Sequence, residues 1–132
     1  MQRFFVIALL FGAVPAMAAN LGTFRNPQGS VQIKLTECGT GLCGTIVSAN
    51  TEARADAAKA GQTKLIGMQL FREMTAEPAV KGEPRRWTGK VYVPDLDKTV
   101  SGNAELNGRT LSVKGCLVGD ALCKGQDWVR VK

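Results

Sequence analysis

The chain has 132 residues, 45% of them hydrophobic and 6% aromatic, with 17 Lys+Arg against 11 Asp+Glu and a formal net charge of +6. It contains no histidine, which excludes Ser-His-Asp and Cys-His catalysis and any His-ligated zinc site. A basic balance favours anionic polymers or lipid headgroups as partners, but few aromatics accompany the basic residues, which argues against nucleic acid.

The amino terminus reads as a secretory signal. Arg3 supplies a short basic start, residues 4 to 14 form an apolar run, and Pro15-Ala16-Met17-Ala18 offers an A-x-A cleavage pattern. The run is shorter than the roughly 20 residues a membrane span needs; the alternative reading is a buried N-terminal helix. Cleavage near Ala18 would leave residues 19–132 as a single exported domain, periplasmic or secreted and without a transmembrane segment. The leader removes only Arg3, so the mature chain stays basic.

The first strand is expected at Leu21-Gly22-Thr23-Phe24, closed by the turn-forming Asn26-Pro27-Gln28-Gly29. From Ser30 to Cys38 the chain alternates, with Val31, Ile33 and Leu35 on one face and Gln32, Lys34 and Thr36 on the other. Gly39 to Leu42 is expected to turn it back into a strand over 44–49. Residues 51–60, TEARADAAKA, carry helix punctuation, with Thr51 able to cap, Glu52 and Asp56 early, Lys59 late and Gly61 at the end. At ten residues, below the roughly 12 to 15 an isolated helix needs, the segment reads as a short surface helix or loop. Leu65 to Phe71 is apolar on both faces and is expected to be buried on both sides or under the helix; residues 75–86 read as an exposed loop.

A meander follows, from Trp87 to Gly115. Trp87, Gly89, Val91 and Val93 share one face, then Val100, Gly102, Ala104 and Leu106, then Leu111 and Val113. Asn107-Gly108 between alternating runs marks a two-residue type I′ hairpin, with φ > 0 expected at both central positions. A last strand covers residues 126–131. Period-two alternation with one apolar face predicts an all-β fold, an antiparallel sheet of about eight strands.

Cys38, Cys43, Cys116 and Cys123 form an even set in an exported chain, which predicts two disulfides with three connectivities open. Loop-closure entropy does not select among them, but proximity and hairpin geometry favour Cys38–Cys43 and Cys116–Cys123. A four-Cys zinc site is the competing reading, disfavoured by gaps wider than a zinc knuckle, and the C-x-x-C of a catalytic dithiol is absent.

Cys38-Gly39 with Leu42-Cys43-Gly44, Val91 to Asp95 with Thr99 and Ser101-Gly102, Leu111 to Cys116, and Gln126 to Arg130 together resemble the DUF2147 family of exported bacterial proteins of unknown function. The resemblance covers about residues 20–131 and implies a small lipocalin-like or calycin-like barrel, with no established activity and no cofactor. Calycin barrels carry G-x-W on the first strand and a basic residue on the last. Gly22-Thr23-Phe24 occupies the first motif with Phe in place of Trp, and Arg130 stands for the second. Arg130 is then expected to face inward with Trp128 and to cap Phe24 at the closed end; the competing register points Val129 and Val131 inward instead.

The leading functional expectation is a non-catalytic envelope protein holding a small apolar molecule, with Val31, Ile33, Leu35, Trp87, Val91, Leu111 and Val113 as barrel lining. The alternative is a filled barrel that binds a protein or an anionic polymer through outer residues such as Lys81, Arg85 and Arg86. A carboxylate hydrolase built on Asp95 and Asp97 is the weakest reading, because turn aspartates serve backbone hydrogen bonding.

Overall fold

The computed structural model describes residues 19–118 and 121–132; the expected leader lies outside them. Eight strands and one helix follow in order: β1 (Asn20–Arg25), β2 (Val31–Cys38), β3 (Gly41–Ala49), α1 (Thr51–Lys59), β4 (Phe71–Ala76), β5 (Arg85–Val93), β6 (Lys98–Asn107), β7 (Thr110–Val118) and β8 (Ala121–Arg130). All strand pairs are antiparallel, in the order β3-β2-β1-β8-β7-β6-β5-β4.

The sheet curls until its edges β3 and β4 meet. They share no continuous ladder. The segment entering β4 instead crosses β3 through one bridge, Thr45 to Gln69. Around it Ile46 N donates to Met68 O (2.9 Å), Gly67 N to Ile46 O (2.8 Å) and Leu70 N to Gly44 O (2.8 Å). Lower on the seam Ala76 N donates to Thr40 O at 3.1 Å. A curled sheet joined this way leaves few strand-edge groups unpaired, which suits an isolated all-β chain.

One face of every strand turns inward, as the alternation requires. Phe24, Ile33, Leu35, Trp87, Ala104 and Leu111 are buried to within 1%, and they form a continuous apolar core with Leu42, Ile46, Phe71 and Met74. Gly22 is needed at its place for two reasons. Its φ is +116°, and an added Cβ would lie 2.9 Å from Lys132 O and 3.1 Å from Arg130 Nε.

Five local expectations are corrected. The β6–β7 turn has Gly108-Arg109 and not Asn107-Gly108 at its centre, because Asn107 pairs with Thr110, and only Gly108 of the three has positive φ, so the expected type I′ geometry is not adopted. The first hairpin turns on Gly39-Thr40 alone, because Cys38 pairs with Gly41 and Glu37 with Leu42. The helix cap is Asn50, whose Oδ1 accepts from Ala53 N at 2.9 Å. Residues 65–70 are not a two-sided strand: Leu65 and Leu70 are buried while Ile66 is 48% exposed, since Gly67 turns the chain at φ +92°. The 75–86 loop is shorter than expected, because β4 reaches Ala76 and β5 starts at Arg85.

Candidate functional site

The barrel has two different ends. At one, β1 and β8 meet through the pairs Phe24–Arg130 and Arg25–Val129. Arg130 Cζ lies 5.5 Å from the centre of the Phe24 ring, and its Nη2 donates to Leu21 O at 2.7 Å. Trp128 is buried and Val129 is 49% exposed, so the register pointing Trp128 and Arg130 inward is the one adopted. The ring, the guanidinium and the carbonyl plug this end.

At the other end the 26–30 loop, the first turns of α1 and the β5–β6 turn surround a cavity of about 400 Å³. Apolar side chains make its wall: Val31 from β2, Ile46 from β3, Phe71 from β4, Val91 and Val93 from β5, Val113 from β7 and Trp128 from β8, with Leu65 and Leu70 from the connecting segment. Of the seven residues expected to line a barrel interior, Val31, Val91 and Val113 stand on this wall. Ile33, Leu35, Trp87 and Leu111 lie in the solid core. Trp128, expected as a structural residue, is also part of the wall.

The rim is polar. Asn26, Gln28 and Ser30 come from one loop, Glu52 and Asp56 from successive turns of α1, and Asp95 from the β5–β6 turn. Asn26 is engaged in shaping its own loop: its Oδ1 accepts from Ser30 N (2.8 Å) and Val31 N (3.0 Å). Partial burial first, and the Asp56 charge second, push the Asp95 carboxyl above its ordinary 3.8. Neither Glu52 nor Asp56 was singled out by sequence reasoning as anything but helix punctuation. Their i, i+4 spacing on an alanine-rich helix was the available sign of a shared face.

A polar strut holds the rim in place. Asp97, at φ +47° in the turn, accepts from Tyr92 Oη at 2.8 Å and from Gln62 Nε2 at 3.0 Å. It thereby ties the chain leaving α1 to the β5–β6 turn. Burial first and the Asp97 bond second raise the Tyr92 phenol above 10.0. Asp97 is therefore occupied structurally, while Asp95 faces the cavity.

The basic residues expected on an outer binding face differ in their pairing. Arg85 pairs with Glu37 and also lies 4.9 Å from the Trp87 ring centre. Arg86 meets Glu105 at 3.2 Å and Glu83 at 3.4 Å. Lys81 makes no ion pair among the described residues.

Both cysteine pairs are local. Cys116 and Cys123 face one another across the β7–β8 ladder, and Cys38 joins Cys43 two positions off its direct partner. Among the described residues no helix is long and apolar enough to cross a membrane, and no cluster of potential metal ligands is present. No curated protein and no solved structure matches the chain. Residues 22–130 match DUF2147, described as an uncharacterized protein conserved in bacteria, and the chain belongs to that family.

Proposed function

We propose that the protein is a non-catalytic, exported envelope protein that holds a small apolar molecule in the open end of its barrel. The cavity carries this reading. Its roughly 400 Å³ falls within the range of about 300–1,000 Å³ usual for small-molecule sites, and its wall is apolar below a polar rim. The opposite end is plugged by Arg130 and Phe24, so a ligand would enter and leave by one mouth. Two disulfides fit an oxidising compartment outside the cytoplasm. Ion pairing of Arg85 and Arg86 counts against those two residues as an anion-binding patch.

Titration with an apolar fluorescent naphthyl dye tests the proposal. Saturable enhancement with one site per chain is expected, abolished in Val113→Phe, which fills the wall while remaining apolar. Dye binding that never saturates, or that Val113→Phe leaves unchanged, would refute it.

A further inference from the structure

We infer that the cavity selects amphiphilic amines: an apolar body within the barrel, an oxygen acceptor along that body, and an ammonium group at the mouth. This rests on the binding role proposed above and names the ligand class.

The charge distribution points to the cation. The chain carries more Lys+Arg than Asp+Glu, 17 against 11, yet among the described residues the charged groups at the cavity are Glu52, Asp56 and Asp95, with no Lys or Arg in its lining. None of the three carboxylates makes an ion pair among the described residues. Asp56 and Asp95 approach from different elements, so no single turn or helix motif brings them together. Burial first, and the neighbouring Asp56 charge second, raise the Asp95 carboxyl. Like charges gathered over an apolar cavity destabilise the fold and are relieved by a cation seated between them. The strut from Tyr92 through Asp97 to Gln62 holds the two sides of this rim together before any ligand arrives, so little ordering remains to be done on binding.

A second, independent observation lies deeper. Trp128 forms part of the cavity wall and is 6% exposed, yet its indole Nε1–H has no acceptor. A buried donor without a partner is costly, and most such groups in folded chains are satisfied. An ether or carbonyl oxygen on a bound molecule would complete it. A pure hydrocarbon would not.

Three probes of one shape separate the charge from the body: octyloxyethylamine, octyloxyethanol and octyloxyacetate, each competing with the naphthyl dye near neutral pH and low salt. The amine should displace the dye at about tenfold lower concentration than the acetate, as several unscreened surface charges allow. In Asp56→Asn/Asp95→Asn that ratio should fall to about twofold, with the alcohol unchanged. Added salt should narrow the ratio in the unmodified protein as well, since exposed charges are screened; this arm needs no variant to fold. Decylamine, lacking the ether oxygen, should compete more weakly than octyloxyethylamine. Equal competition by amine and acetate, or a preference that survives both the double substitution and salt, would overturn the cation. Equal competition by the two amines would overturn the acceptor oxygen. In each of those cases the cavity reading stands, whereas failure of the dye itself to bind would remove both.

Discussion

Arg130 lies over the ring of Phe24, its register partner on the neighbouring strand, with Cζ 5.5 Å from the ring centre. The same guanidinium donates to Leu21 O, so one side chain ties the first strand to the last by a cation–π contact and a charged hydrogen bond. Arg130→Ala should cost about 2 kcal/mol or more of unfolding free energy, through lost packing and an unpaired carbonyl. Urea denaturation measures it. A loss within about 0.5 kcal/mol, the range of ordinary surface sites, would contradict the plug.

The β6–β7 hairpin turns on Gly108-Arg109, with Asn107 paired to Thr110 across it and Gly108 at φ +61°. No atom lies within 4 Å of a Cβ built there, so backbone strain alone decides the effect of substitution. Gly108→Val should destabilise by more than about 1 kcal/mol, because a β-branched residue resists φ > 0. Gly108→Asn should recover most of the loss, since Asn tolerates that region.

Asp95 carries a pH signature. Its carboxyl is raised in the folded chain, so the fold favours the protonated form. That favour is present below the ordinary value of 3.8 and is lost as pH rises through the raised folded value. Asp95→Asn should therefore increase the melting temperature near neutral pH, and the gain should fade below pH 3.8. Thermal denaturation of both proteins across acidic and neutral pH reads the difference directly. A gain that persists at low pH would assign the effect to something other than ionisation.

Each disulfide closes a short loop, with five and seven residues of sequence separation. Breaking either by Cys→Ser should cost about 2 kcal/mol on the loop-closure account. Alkylation of the native protein without reductant should label no thiol, checked by intact mass; labelling of all four would remove the disulfides.

The fold was legible because it rests on period-two alternation, a local property of the chain. Val31, Ile33 and Leu35, then Trp87, Val91, Leu111 and Val113, declare an inward face within a few residues of each other. Gly108 announces the β6–β7 turn by its φ preference, although the pair at the centre is Gly108-Arg109 and not Asn107-Gly108, and the cysteine pairs sit close enough in sequence to be bridged across their own hairpins. Each of those signals needs no knowledge of what lies opposite.

The cavity required more. Whether an inward apolar residue meets another side chain or open space depends on which strands face it across the barrel. Ile33 and Leu35 are two apart on one strand with Val31, yet only Val31 stands at the cavity. The choice between Trp128 with Arg130 and Val129 with Val131 was undecidable from alternation, because both faces of that strand carry large groups; the Phe24–Arg130 pairing between β1 and β8 decides it. The acidic rim was hidden for the same reason. Glu52 and Asp56 read as helix punctuation and Asp95 as a turn residue, about forty residues away in sequence. Sequence alone determined which faces are apolar. Only tertiary structure decided where the barrel is filled, where it opens, and which charges meet at its mouth, since those depend on contacts between segments that share no local pattern.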